Sequence, residues 1–134
     1  IQSLRKKQKI EIFGNDYKTK DGTCVRDYMH VSDLADIHVK GLGFIENKKK
    51  SFILNCGYGK GYSVKQIIKV FSKIRKKIII EIKDRRPGDV AQVYADTKKF
   101  KRILKWTPKF NNMNSIIKSA IKWEMSLNKK SKKL

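Results

Sequence analysis

No run of apolar residues in this 134-residue chain approaches the roughly 20 that a membrane span requires. The start, IQSLRKKQK, also lacks the apolar stretch of a secretory signal, and the two absences point to a cytoplasmic protein with no membrane partner. Cysteine is nearly missing. Cys24 and Cys56 stand alone, with no C-x-x-C pair and no nearby second histidine, so a disulfide framework or a zinc site has little support. Both read as reduced thiols, Cys56 packed in a strand. Acidic residues are scarce too: 12 Asp+Glu face 33 Lys+Arg, for a net charge of +21.

Taken alone, that charge suggests nucleic acid, because basic patches gain affinity by releasing phosphate counterions. Arginine, however, is rare. Of the 33 cations 27 are Lys and six are Arg, while 17 Ile stand against seven Leu, a coding bias spread over solvated surface. The lysines are scattered rather than gathered into one stripe with interleaved aromatics, which argues against nucleic acid. Where Lys is the default cation, a retained Arg marks a place that needs the planar, two-pronged guanidinium. Three of the six fall in two short motifs, VRDY (Arg26) and DRRPGD (Arg85, Arg86).

What is present suffices for one domain with one core: 40% of the residues are apolar and 10% aromatic. KIEIF, Lys9 to Phe13, alternates as a strand and ends at the turn signal Gly14-Asn15-Asp16. CVRDYMHV is a second extended piece. Ser32 reads as an N-cap, and Leu34, Ile37, Gly41, Leu42 and Ile45 recur at helical spacing, giving a helix from about Asp33 to Glu46. SFILNC is a short apolar strand. Ser63 and Gln66 form a capping box ahead of Val64, Ile67, Ile68, Phe71 and Ile74. IIIEIK is a strand by β-branching, and Pro87-Gly88 makes DRRPGD a loop. Asp96 caps a short helix with Phe100, Ile103 and Leu104, and Ile116, Ile117, Ala120, Ile121 and Leu127 mark a last one. The basic tail, 129–134, is frayed. Strands and helices alternate, so the class is α/β or mixed. GYGKGYS, Gly57 to Ser63, sits where phosphate-binding loops sit, but its spacing is G-x-G-x-G and no acidic strand end follows about 20 residues on. A tight turn into a capped helix is the better reading. His38, on the first helix, reads as a satisfied core histidine.

IFGNDY, DGTCVRDYMHVSDLADIHV, LNCGYGKGYSV, RRPGDV with YADTKK, and LKWTP, in that order and at these gaps, resemble the C-terminal portion of UDP-glucose 4-epimerases and their relatives among the extended short-chain dehydrogenases. The resemblance covers Ile10 to Trp123. It implies a mixed α/β C-terminal portion that lacks most of the N-terminal Rossmann domain. Residues 1–128 would then form the nucleotide-sugar-binding portion. Family members begin with a glycine-rich NAD loop and carry a Tyr-x-x-x-Lys pair, and neither occurs here. Tyr58 and Tyr62 lack a Lys four positions on, and the Lys98 that follows Tyr94 lies inside YADTK, which matches another family motif.

The family reaction takes a hydride from C4 of the sugar to NAD, lets the 4-keto sugar turn over, and returns the hydride to its other face. Turning requires a loosely held sugar and a firmly gripped UDP, and a diphosphate is best gripped by charge-assisted, bidentate arginine bonds. By resemblance, Arg26 and Arg86 take the phosphates, Tyr28 lies near them, Asp89 accepts from ribose hydroxyls, and Glu11 and Phe13 line the uracil. Arg85, His30 and Asp33 are structural. Val93, four residues after Asp89, stands beside the sugar's C2 substituent, where a residue smaller than Tyr admits N-acetylated sugars. No residue of this chain is assigned to catalysis or to a metal. NAD belongs to the complete family enzyme, and this chain alone binds none. Its partners would be a UDP-sugar and an N-terminal NAD-binding chain in trans, or the missing part of a longer protein. Two other readings stay open: a non-catalytic remnant or nucleotide-sugar binder, and a basic nucleic-acid-associated module.

Overall fold

The structure, a computed structural model, describes residues 9–75 and 78–130, with side chains to residue 127. Among these are five strands, β1 (Lys9–Phe13), β2 (Val25–Asp27), β3 (Gly61–Ser63), β4 (Ile79–Lys83) and β5 (Gln92–Val93), and four helices, α1 (Val31–Lys48), α2 (Val64–Ile74), α3 (Lys98–Leu104) and α4 (Met113–Lys130). β1 and β4 pair in parallel, Lys9 opposite Ile79 and Phe13 opposite Lys83. A second sheet has the order β3-β2-β5, antiparallel on one side of β2 and parallel on the other. The mixed α/β class is as the sequence predicts. No helix among the described residues is long and apolar enough to cross a membrane.

Two apolar clusters hold these elements together. Ile37 of α1, Tyr58, Phe100 of α3 and Trp106 form one, with Phe100 fully enclosed. Met113, Ile117 and Ile121, one face of α4, form the other, against Ile67, Phe71 and Ile74 of α2 and against Tyr28 and Tyr62. The 3.6-residue period of the α2 and α4 side chains produces this pairing. The capping box is present: Ser63 Oγ accepts from Gln66 N–H while Gln66 Oε1 accepts from Ser63 N–H.

The scarce carboxylates are used as staples between segments far apart in sequence. Asp21 receives the N–H and hydroxyl of Thr23 and the hydroxyl of Ser63, which fastens the DGT turn to the start of α2. Asp27 accepts from Tyr58 N–H (3.1 Å), Gly59 N–H (2.9 Å) and Ala95 N–H (3.4 Å). Gly57 has to be bare here, because a Cβ would run into the Asp27 carboxylate and the Ala95 methyl. Asp33, fully buried, accepts from the Tyr58 hydroxyl (2.6 Å) and from the N–H groups of Lys109 and Phe110. Asp36 accepts from Trp106 Nε1 at 2.7 Å.

Several local expectations need correction. α1 begins at Val31, and its N-cap is His30, whose Nδ1 accepts from Ser32 N–H; Ser32 is already helical. SFILNC forms no strand: residues 51–56 are irregular and Ile53 is 85% exposed. The apolar stretch suits a strand, but among the described residues no neighbouring strand pairs with it, and without a paired edge the extended form gains nothing. Cys56 is therefore exposed in a loop. His38 is also exposed, with Nδ1 2.8 Å from Leu34 O. Asp96 does accept from Lys98 N–H, yet the N-cap position of α3 is Thr97. α4 runs through 129 and 130; the rest of the tail lies outside the described residues.

Candidate functional site

Three segments separated in sequence bring charge together. β2 supplies Arg26, the loop after β4 supplies Arg86 and Asp89, and β1 ends on Phe13. Arg86 Nε donates to Asp89 Oδ2 at 3.0 Å, and Arg26 Nη2 lies 3.6 Å from Asp89 Oδ1. Arg26 Nη1 also donates to Val25 O at 2.9 Å. The Arg86 guanidinium lies over the Phe13 ring, 4.7 Å from its centroid. One carboxylate thus sits between two guanidinium groups and leaves one net positive charge. Each guanidinium carries five N–H donors, most of which remain free for another acceptor. Arg86 is 61% exposed and Asp89 22%, so the pair faces solvent through the arginine. As an exposed ion pair it adds little to stability, which leaves its geometry as the notable feature.

The β2–β5 register places Val93 directly opposite Arg26, and residues paired across a ladder project on the same face. The expected gate position is therefore beside the arginine cluster. Tyr28 is half-buried against the α4 cluster; burial pushes its hydroxyl pKa up, and the nearby Arg26 charge opposes that rise. Glu11 shares a β1 face with Phe13 but ion-pairs with Lys9 at 3.7 Å and joins neither arginine. So the structure assembles Phe13, Arg26, Arg86, Asp89 and Val93, keeps Tyr28 at the margin, and leaves Glu11 apart.

The Gly57–Ser63 loop does not offer a phosphate cradle. Its Tyr58 and Gly59 N–H groups already donate to Asp27. The first donors of α2 are taken as well: Val64 N–H by Cys24 O, Lys65 N–H by Thr23 Oγ1 and Gln66 N–H by Ser63 Oγ. The donors that a dinucleotide pyrophosphate would need at a helix N-terminus are consumed internally. Among the described residues no group of three or more His, Cys, Asp or Glu could hold a metal ion.

Arg85, expected to be the structural member of its pair, is engaged within the chain. Nε donates to Asp16 Oδ1 and Nη2 to Asp16 O, each at 2.7 Å, and the guanidinium stacks 4.3 Å from the Tyr17 ring centroid. Sequence reasoning missed Tyr17, which is only 5% exposed. The signal was an aromatic directly after the Gly14-Asn15-Asp16 turn.

The family described as GDP-mannose 4,6 dehydratase matches residues 1–119. A UDP-glucose 4-epimerase of Azospirillum brasilense is 42% identical over 125 residues, covering 92% of this chain and 36% of that protein. The crystal structure of a UDP-glucose-4-epimerase from Stenotrophomonas maltophila, with bound NAD and formylated UDP-arabinopyranose, superposes with a TM-score of 0.84 at 35% identity, over 90% of this chain and 36% of its own. The UDP-Glc/GlcNAc 4-epimerase of Campylobacter jejuni gives a TM-score of 0.80 at 38% identity, over 92% of this chain and 38% of its own. The chain thus spans little more than a third of the length of these three relatives. It belongs to the GDP-mannose 4,6 dehydratase family, within the NAD-dependent extended short-chain dehydrogenases, and corresponds to the C-terminal portion of a UDP-glucose 4-epimerase.

Proposed function

We propose that residues 1–128 are the part of a cytoplasmic UDP-sugar 4-epimerase that grips the UDP moiety, with 129–134 a basic appendage. The observation that carries this reading is the convergence of Arg26 and Arg86 on Asp89 beside the Phe13 ring. Two guanidinium forks a few ångströms apart suit the adjacent phosphates of a diphosphate, each able to bind an oxygen pair. Phe13 offers a ring face for the uracil, Glu11 lies further along the same strand face, Tyr28 flanks the phosphates, and Asp89 is the acceptor for ribose hydroxyls. Binding is what these groups supply; hydride transfer is NAD's chemistry, and the donors of the one glycine-rich loop are already taken. On this reading the chain alone binds no NAD.

The remaining chemistry comes from an NAD-binding unit, either in trans or in a longer chain. Two surfaces support such a partner. Val31, Leu34, Leu42 and Ile45 form an exposed apolar stripe along α1, and Ile79, Ile80 and Ile82 of β4 are half exposed in a two-stranded parallel sheet, an arrangement that is ordinarily covered on both faces. Val93 extends the substrate range: a small side chain beside Arg26 leaves room for an acetyl group, a contact worth about 1–3 kcal/mol. A UDP-Glc/GlcNAc epimerase among the relatives is consistent with that range.

The test is calorimetric titration of the purified chain with UDP, and a turnover assay with UDP-glucose and added NAD. Saturable binding without epimerisation is the expected result; turnover by the isolated chain, or no UDP binding, would overturn the reading. In a reconstituted complete enzyme, Val93→Tyr removes activity on UDP-N-acetylglucosamine and spares UDP-glucose. A wild type already confined to UDP-glucose contradicts the assignment of Val93.

A further inference from the structure

We propose that Asp16, Tyr17 and Arg85 form a clamp that aims Arg86, which makes Arg85 a positioning residue for anion binding. The proposal rests on the diphosphate reading of Arg86. The loop that carries both arginines has few other holds. Residues 84–88 are exposed, nothing lies within 4 Å of a Cβ built on Gly88, and the loop's backbone bonds are Asp89 N–H to Arg86 O at 3.2 Å and Val25 N–H to Ala91 O at 2.9 Å. Arg86 itself is held only by its exposed contacts to Asp89 and Phe13, and a looser loop would add an ordering cost to every binding event.

Arg85 supplies the missing tie. Its fork reaches across the end of β1 and closes on Asp16 through two 2.7 Å bonds, one to the side-chain carboxylate and one to the main-chain carbonyl. The same guanidinium lies over the ring of Tyr17, which is buried enough to act as a fixed platform. Gly14 makes the approach possible. Its φ is +79°, and a Cβ there would meet Tyr17 Cε2 at 2.5 Å and the Arg85 Cγ at 2.8 Å. Gly14 N–H also donates to Lys83 O at 2.8 Å, which ties the turn to the end of β4. The pairing holds the Asp16 carboxyl below its ordinary range, chiefly through the hydrogen bond from Arg85.

Arg85 is pinned to the turn that follows β1, while Arg86 takes different partners, Phe13, the residue just before Gly14, and Asp89. The two arginines straddle the end of one strand. One is committed to Asp16 and the other keeps donors for a ligand. Tyr17 contributes its ring; its enclosed hydroxyl has no hydrogen-bond partner among the described residues.

The experiment compares Arg85→Lys, Asp16→Ala, Tyr17→Phe and Arg86→Lys by calorimetric titration with UDP and with inorganic pyrophosphate. It also records the Arg86 Nε–H resonance of the labelled protein. Arg85→Lys keeps the charge but loses the fork, so it should weaken both ligands about tenfold and broaden the Arg86 Nε–H signal while the backbone amide spectrum stays native. Asp16→Ala, a change at an exposed side chain, should act in the same direction by about threefold, because the carbonyl bond survives. Tyr17→Phe should change neither readout. If Arg86→Lys weakens binding and Arg85→Lys and Asp16→Ala do not, the clamp is overturned and the diphosphate site stands. If Arg86→Lys itself has no effect, the diphosphate site falls, and the Arg86 Nε–H signal in the other variants still decides whether the clamp orients that side chain.

Discussion

The neighbourhood of Tyr58 and the neighbourhood of Arg86 use the same residue types for opposite ends. Around Tyr58, carboxylates are spoken for: half-buried Asp27 and buried Asp33 between them take four backbone N–H groups and one hydroxyl at 3.1 Å or less. Burial and the Asp33 carboxylate push the Tyr58 hydroxyl up to about 12. Around Arg86 the charges lie near the surface, and each guanidinium keeps donors free. Saturated polar groups fix a shape, whereas unsaturated ones at a fixed position invite a ligand. In a chain with 12 acidic residues, an aspartate at a loop junction is therefore a structural device, and Asp89 is the exception that shares its carboxylate with the proposed site.

The largest effect that separates the two regions is expected in the first. Phe100→Ala empties the enclosed centre of the Ile37, Tyr58 and Trp106 cluster and should cost about 3–5 kcal/mol in urea unfolding. Asp33→Asn is next, at about 3 kcal/mol, since it places an amide N–H group among three donors in a buried site. Its pH dependence sharpens the comparison. Burial by itself would raise the Asp33 carboxyl, but the bonds from Tyr58, Phe110 and Lys109 outweigh it and hold the folded group below 3.8. The stabilisation is therefore complete above the unfolded value and is lost as the pH falls through the depressed folded one. Wild-type stability should drop in that acid window and that of Asp33→Asn should change less; parallel profiles would show that Asp33 is not the staple. In the second region Arg86→Lys should move the unfolding midpoint hardly at all, by less than about 0.5 kcal/mol. Smallest of all, Arg102→Lys on the exposed face of α3 should alter neither stability nor UDP binding.

How much of this was legible in the sequence follows from the range of each interaction. α2 and its capping box are local, three residues across, and could be read directly. β1 and the helical face of α4 declared themselves by period, and β4 by its β-branched residues. The arginines of VRDY and DRRPGD stood out because Lys is the default cation. The staples could not be read from spacing, because Asp27 and Tyr58 are 31 residues apart and Asp36 and Trp106 are 70 apart. SFILNC misled for the same reason: strand formation is settled by a neighbouring edge, and composition does not reveal whether one exists. Tyr17 went unread because its importance comes from Arg85, 68 residues later, lying on its ring.

The central claim is that Arg86 grips a diphosphate through its fork, and calorimetric titration of the wild-type chain and Arg86→Lys with UDP tests it most directly. The account predicts saturable wild-type binding that weakens by about 1–2 kcal/mol, roughly tenfold, although the charge is kept. Equal affinities for the two proteins would contradict it.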